Sequence, residues 1–202
     1  MKNLNKSSII TSTSKAELNR KFEHMLGFKF SNEEKEYLSH MIHAVQFEKG
    51  DIPVHEGDEM KNFYFIISGL VRGYYIDEDG NEVTKCFSCE NQVFSTECYR
   101  TMLSSSFYVE CIEDCDCIEV PYIVLEKWKI LSETIQNLYV KEVEKLEKRV
   151  RGMLLMNATQ RYENFCMEYK SVMERIPLKY VASFIGIKAE SLSRIRHEKM
   201  SN

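Results

Sequence analysis

The chain has 202 residues, of which 44% are hydrophobic and 29% are charged, and its formal net charge is -4. This composition excludes a fibrous or intrinsically disordered protein, and the length predicts a globular chain with one medium and one small domain. No apolar run approaches the ~20 residues of a membrane span, and the polar N-terminus does not fit a signal peptide, so we expect a cytoplasmic protein without membrane contact.

The N-terminal part of the chain predicts a tail followed by helices. We expect residues 1–20 to be a flexible tail. From Phe22 to Ile42 the apolar residues recur at helical spacing, and Ser31 and Glu34 are placed as in a capping box. Two short helices fit this pattern best.

Between Val45 and Val120 the pattern changes to short apolar runs separated by turn residues. This is typical of an antiparallel β-domain with many short strands, and we assign residues 21–122 to a sensor domain. The segment DEDGN at Asp77–Asn81 resembles the start of a calcium loop but lacks the later bidentate glutamate. We therefore interpret it as a hairpin turn.

A helical pattern of about nine turns follows Pro121, and we assign residues 123–156 to a dimerisation helix. A narrow apolar stripe runs along this densely charged helix. The stripe consists of Leu131, Ile135, Tyr139, Val143, Leu146, Val150 and Met153. Such a stripe needs an apolar partner, and we expect the same helix of a second chain to cover it. The alternative is that the helix packs on its own sensor domain.

Residues 157–202 predict a small helical domain. A first block from Ala158 to Met173 carries one aromatic-rich face, and a helical hairpin follows it. In the hairpin, Pro177 suits the first helical position, Gly186 permits a turn, and a second helix runs from about Lys188. The predicted inward residues are Val181, Ala182, Ile185, Ile187, Leu192 and Ile195. This is the pattern of a helix-turn-helix, whose second helix enters the major groove of DNA.

The charge distribution agrees with a nucleic-acid-binding C-terminus. Residues 141–202 contain 13 lysines and arginines against 8 aspartates and glutamates, although the whole chain is acidic. Arginine can read guanine by two hydrogen bonds and glutamate can accept one from cytosine, so we expect Arg194 and Glu190 to read bases. With the expected phosphate contacts, the candidate DNA-binding residues are Lys179, Lys188, Ala189, Glu190, Ser191, Arg194 and Arg196.

Several segments resemble the Crp-Fnr superfamily, bacterial regulators typified by the cyclic-AMP receptor protein. They are FEKGD at 47–51, HEGD at 55–58, FYFIISGLVR at 63–72 and RIPLKYVASFIGIKAESLSRIR at 175–196. The resemblance implies an α+β fold with an antiparallel cyclic-nucleotide-binding-type β-roll, a long dimerisation helix and a C-terminal helix-turn-helix. It also implies a homodimeric transcription regulator that binds palindromic double-stranded DNA, with RNA polymerase as a further partner.

The sequence departs from the family where cyclic nucleotide-binding members hold the phosphate. Those members carry an arginine that neutralises the phosphate, but here that position is Ser105, and Arg100 lies too early. We therefore predict no tight binding of cyclic AMP or cyclic GMP, and we leave open an unknown small-molecule effector. The candidate residues of its pocket are Phe94, Ser95, Glu97, Tyr99, Ser105 and Ser106.

Two further departures concern the helix-turn-helix. Lys188 stands where a capping residue is usual, although lysine cannot accept the backbone hydrogen bond at a helix N-terminus. The chain stops at Asn202, which predicts a domain without a full β-wing. The alternative function is therefore a β-roll ligand-binding or adaptor protein with a degenerate helix-turn-helix.

The cysteines do not predict a metal centre. Cys86 and Cys89 have ligand-like spacing, but on a strand they would point to opposite faces, whereas Cys115 and Cys117 would share one face. We interpret most of the seven cysteines as small buried hydrophobes, with a metal or thiol sensor as the less favoured alternative. Because the sequence has no phosphate-binding glycine loop, nucleophile turn or paired histidines, it predicts no enzyme and no cofactor.

Overall fold

The computed structural model describes residues 8–9, 14–59, 61–94 and 104–200. The chain divides into two compact units, the first with residues 1–75 and 87–134 and the second with residues 76–86 and 135–202. The hairpin segment 76–86, which the sequence pattern places in the sensor domain, thus groups with the C-terminal helices. The predicted domain boundaries otherwise stay predictions.

Eight strands are described. They are β1 (Ser8–Ile9), β2 (His43–Phe47), β3 (Asn62–Ser68), β4 (Leu70–Ile76), β5 (Glu82–Cys89), β6 (Val93–Phe94), β7 (Tyr108–Cys111) and β8 (Cys115–Pro121). One sheet has the order β1-β2-β8-β3-β6 and the other the order β5-β4-β7. The paired strands of the larger sheet are antiparallel, as are β4 and β7. The antiparallel β-domain of short strands is therefore confirmed.

The core of the first unit lies among the inward residues of these strands. Val45, Ile66 and Val109 are buried there, and so are Cys115 and Cys117. The last two therefore share one buried face, as predicted. Burial raises the pKa of the Cys117 thiol, so Cys117 behaves as a small hydrophobe, whereas the Cys115 thiol also donates to the Leu70 and Glu113 carbonyls. Within the described parts of the chain, no cluster of three or more His, Cys, Asp or Glu residues could hold a metal ion.

The segment Asp77–Asn81 forms the turn between β4 and β5, as predicted. The Asp77 carboxylate accepts hydrogen bonds from the backbone N–H groups of Asp79 at 3.0 Å and Asn81 at 2.8 Å. These hydrogen bonds stabilise the charged form and lower the pKa of Asp77. The hairpin interpretation is confirmed.

Helices form most of the second unit, and others precede and follow the strands of the first unit. They are α1 (Lys15–Leu26), α2 (Asn32–Met41), α3 (Ile123–Lys127), α4 (Lys129–Leu155), α5 (Ala158–Glu168), a 3-10 turn (Met173–Arg175), α6 (Leu178–Phe184) and α7 (Ala189–Met200). The mixture of helices and antiparallel sheets confirms the α+β fold class. None of the described helices is both long enough and apolar enough to cross a membrane.

The N-terminal prediction is correct for the helices and wrong for the extent of the tail. The capping box at Ser31 and Glu34 is present, with both of its reciprocal hydrogen bonds. Helix α1, however, begins at Lys15, because Ser14 caps it and Leu18 is buried at 6% exposure on its inner face. The flexible tail predicted for residues 1–20 is therefore incorrect at its C-terminal end.

The long helix is shorter than predicted. The backbone is extended at Trp128, which separates α3 from the 27-residue helix α4. The Trp128 ring packs against Phe30 and Tyr37 at centroid distances of 6.2 and 5.1 Å, and this aromatic contact accounts for the break. Leu131 is fully buried within the single chain, so it does not belong to the exposed stripe.

Candidate DNA-binding site

An aromatic cluster forms the floor of the C-terminal helical domain. The ring of Phe165 lies 4.9 Å from that of Tyr169 and 5.4 Å from that of Phe184, between centroids. Helix α5 begins with a capping box between Asn157 and Gln160. The cluster thereby holds α5 against the end of α6, the first helix of the helix-turn-helix.

Helices α6 and α7 bury the residues expected from their spacing. Val181, Ala182 and Ile185 are buried on α6 and its cap, and Leu192 and Ile195 are buried on α7; Ile187 is half-buried. Pro177 lies one position earlier than expected, as the N-cap of α6. The predicted inward faces are otherwise confirmed.

The turn between the two helices requires its glycine. Gly186 has φ +69°, and a Cβ atom at this position would lie 2.6 Å from the Met153 methyl group. A residue with a side chain would thus be strained in its backbone and would crowd α4. The glycine allows the turn to approach the long helix closely.

The outer face of α7 presents the predicted base-reading residues. Ala189, Glu190 and Arg194 are exposed, whereas Leu192 and Ile195 on the opposite side of the helix are buried. Glu190 and Arg194 are four positions apart, so they lie on the same face, about one helical turn apart. On this face the Glu190 carboxylate can accept hydrogen bonds from a ligand, and the forked Arg194 guanidinium can donate them.

The other predicted DNA-binding residues differ in how accessible their side chains are to DNA. Lys179 and Lys188 are exposed, and Ser191 is half-buried. The Lys188 carbonyl accepts hydrogen bonds from the backbone of Ser191 and Leu192, which places Lys188 at the start of α7 as expected. Arg196 is half-buried and interacts with the hydroxyl of Tyr162, so it is the least available of the predicted set.

Comparison with known proteins shows which regulators the chain is similar to. The cyclic nucleotide-binding domain family matches residues 44–128. An anaerobic regulatory protein of Aggregatibacter actinomycetemcomitans is 22% identical over an alignment of 187 positions, which covers 83% of this chain and 71% of the relative. A structure from Eubacterium rectale assigned to the crp/fnr family superposes with a TM-score of 0.69 at 15% identity, covering 85% of both chains. These comparisons confirm that the chain resembles the Crp-Fnr superfamily of transcription regulators.

A further solved structure supports the fold. FixK2 from Bradyrhizobium japonicum superposes with a TM-score of 0.71 at 18% identity, covering 78% of this chain and 84% of the other. Members of the superfamily bind DNA and act as dimers, and they are transcription regulators rather than enzymes. The predicted resemblance, fold class and functional class are therefore confirmed.

Only some of the predicted effector-pocket residues lie in the described part of the chain. Ser95, Glu97 and Tyr99 lie outside the described residues. Phe94 is buried in the core, and Ser106 is exposed.

Ser105, which the sequence comparison predicts to stand in place of the phosphate-binding arginine, is 3% exposed. Its hydroxyl donates to the Phe107 carbonyl at 2.8 Å, and its backbone N–H donates to the Asp58 carbonyl at 2.9 Å. Ser105 is therefore engaged in the internal structure of the β-roll.

Sequence reasoning missed a buried cation in the β-roll. Arg72 is 1% exposed, and its Nη2 atom lies 2.7 Å from the Glu110 carboxylate. The guanidinium carbon also lies 4.3 Å from the centre of the Tyr74 ring. The carboxylate compensates the charge that burial would otherwise make costly.

Sequence reasoning also missed two arginines that hold the helix-turn-helix. Arg161 donates to the carbonyls of Met156 and Ile185, both at 2.8 Å. Arg149 donates to carbonyls of α6 and of the β4-β5 hairpin. In the sequence both residues look like ordinary solvated charges of amphipathic helices, because nothing local marks a partner that is distant in the chain.

Proposed function

We propose that this regulator binds a palindromic operator as a homodimer, with α7 of each chain in the major groove of one half-site. The observation that carries the proposal is the exposed face of α7, on which Glu190 and Arg194 project while Leu192 and Ile195 anchor the helix. Half-sites should be centred about one DNA turn apart, ~34 Å.

The exposed stripe of α4 supports the homodimer. Tyr139 and Met153 are exposed, as are Val143 at 44% and Val150 at 58%. Four apolar side chains in a row on one helix face are costly in water and favour burial against a second copy of the same helix. Regular spacing along α4 suits a parallel or antiparallel helix pair better than a patch on a globular partner.

The residues on and near α7 divide by chemistry into two proposed roles. Arg194 and Glu190 read base edges, and Ala189 allows close approach of the helix to the groove. Lys179, Lys188 and Ser191 contact phosphates, which adds affinity without sequence information. Arg196 is a weaker candidate because its guanidinium interacts with Tyr162.

Salt dependence separates DNA binding from the adaptor alternative. We expect the affinity for an operator duplex to fall steeply between 50 and 200 mM salt, by about 10³-fold if some six phosphates are contacted in the dimer. Equilibrium titration by fluorescence anisotropy measures this slope. An adaptor with a degenerate helix-turn-helix would bind duplexes weakly at every salt concentration, and that result would contradict the proposal.

Cyclic nucleotides are not the proposed effector. Ser105 supplies no positive charge for a cyclic phosphate, and the buried guanidinium of Arg72 is already neutralised by Glu110. We expect isothermal titration calorimetry to show no saturable binding of cyclic AMP or cyclic GMP at micromolar concentrations. Micromolar or tighter affinity would overturn this assignment.

The proposed partners also include RNA polymerase and a small molecule, other than a cyclic nucleotide, that binds the β-roll.

A further inference from the structure

The Arg149 side chain connects segments that are far apart in the sequence. From α4 its guanidinium donates to the carbonyls of Thr84 at 2.8 Å and Phe184 at 3.0 Å, and also to the carbonyl of Lys85. The guanidinium carbon lies 4.3 Å from the centre of the Phe184 ring. One side chain thus holds both the outer strand of the β4-β5 hairpin and the last turn of α6.

A second link joins the hairpin to α6 directly. The backbone N–H of Thr84 donates to the Ser183 hydroxyl at 2.8 Å, and that hydroxyl donates to the Glu82 carbonyl at 3.2 Å. All of these residues belong to the second unit. Strand β4 begins in the first unit, and strand β5 ends in it. The first helix of the helix-turn-helix is therefore bonded to a hairpin as well as to α4.

The chemistry of these contacts requires arginine. The last carbonyls of a helix have no partner within the helix, and a cation at this end is favourable. Arg149 meets the Phe184 carbonyl there, while Arg161 meets the Ile185 carbonyl at 2.8 Å. A planar guanidinium can serve three carbonyls and stack on a ring at once, whereas a lysine ammonium is a point charge without this geometry.

We propose that Arg149 is a positioning residue for DNA recognition, which fixes the orientation of α6, and through it α7, on the long helix α4. In a dimer joined through α4, this orientation would set the separation and rotation of the two recognition helices. Arg149 would thereby determine which half-site spacing the dimer accepts. The inference rests on the proposed function, because it concerns how a dimer reads two half-sites.

Operators with altered spacing test this role. Inserting or removing one base pair moves a half-site by ~3.4 Å and rotates it by about 35°. We expect the full-length wild-type dimer to prefer one spacing over its neighbours by at least about 10-fold, because simultaneous engagement depends on geometry. In Arg149→Gln, and equally in Arg149→Lys, this preference should fall to about 3-fold or less.

The matched control is Arg151→Gln, which removes the same charge from an exposed position two residues away on α4. It should keep the wild-type spacing preference, with at most a uniform loss of affinity from its lost charge. Thermal unfolding of each variant accompanies the titrations. If Arg149→Gln does not fold, the comparison is made with Arg149→Lys, which keeps the charge.

Two results would overturn the inference. One is that the Arg149 variants keep both the wild-type affinity and the wild-type spacing preference. The other is that they lose affinity equally at every spacing, so that the preference is unchanged, which would indicate a purely structural or electrostatic role. Failure of the wild-type chain to bind any symmetric operator is a different result, since it would remove the proposed function and the inference together.

Discussion

Replacing Val143 with glutamate should separate the dimer into monomers and lower operator affinity by about 10²- to 10⁴-fold, the usual gain from linking two binding modules. Val143 lies in the middle of the exposed stripe of α4, at 44% exposure in the single chain. In a dimer a carboxylate at this position would be buried without a partner and would face its own symmetry copy. In the monomer it would lie in water, so the fold should be retained.

Sedimentation equilibrium and operator titration measure the two effects separately. The matched control is Lys141→Gln, which lowers the net charge by the same amount at an exposed position of α4 outside the stripe. This control should remain dimeric. If Val143→Glu is still dimeric at the concentrations at which the wild type is dimeric, the stripe is not the dimer interface. The dimer would then have to form through another surface.

Arg194→Ala should cost ~1 to 3 kcal/mol in binding to the cognate operator, and it should relax the base preference at one position of each half-site. Arg194 is exposed on α7, four residues after Glu190 and clear of the buried anchors. Its loss should leave the fold of the domain unchanged. Titration against operators substituted at each position in turn measures both quantities.

Lys179→Ala is the informative comparison for Arg194→Ala. Lys179 is exposed on α6, and its ammonium lies 4.6 Å from the centre of the Tyr180 ring. As a phosphate contact it should weaken binding to all sequences alike and reduce the salt slope by about one. If Arg194→Ala showed this uniform pattern instead, Arg194 would contact phosphate and would not read a base.

Local patterns predicted the helix-turn-helix and its outward face. The 3.6-residue period of Leu192 and Ile195 determines which side of α7 is buried, and the position of Gly186 determines where the turn lies. The hairpin at Asp77–Asn81 was predictable for the same reason, since its aspartate bonds to the backbone two and four residues later. Each of these features depends on residues close together in the chain.

Features that depend on distant residues were not predictable from such patterns. The break at Trp128 arises because its ring packs on Phe30 and Tyr37, about ninety or more positions earlier in the sequence. The same helical period that describes the exposed stripe of α4 also includes Leu131, yet this side chain is buried within its own chain. Periodicity shows that a face is apolar, but it does not show what covers that face.

Charged residues give the weakest signal of all. Arg149 and Arg194 are equally plausible as solvated charges on their helices, and only the three-dimensional arrangement shows that the first bonds to α6 and the hairpin. Arg72 lies within a strand motif that resembles the family, but its burial against Glu110 comes from pairing between β4 and β7. The sequence pattern does not determine the order of the strands in a sheet, so it does not predict which ion pairs form between neighbouring strands.

The most direct test of the central claim is selection of bound duplexes from a random DNA pool, with the full-length wild-type chain at physiological salt. We predict enrichment of a two-fold symmetric sequence with half-sites about one DNA turn apart, ~34 Å between centres. Enrichment of an asymmetric single site would contradict the dimeric operator. Recovery of no sequence above background, with or without added cell extract as a source of effector, would contradict sequence-specific DNA binding by this chain.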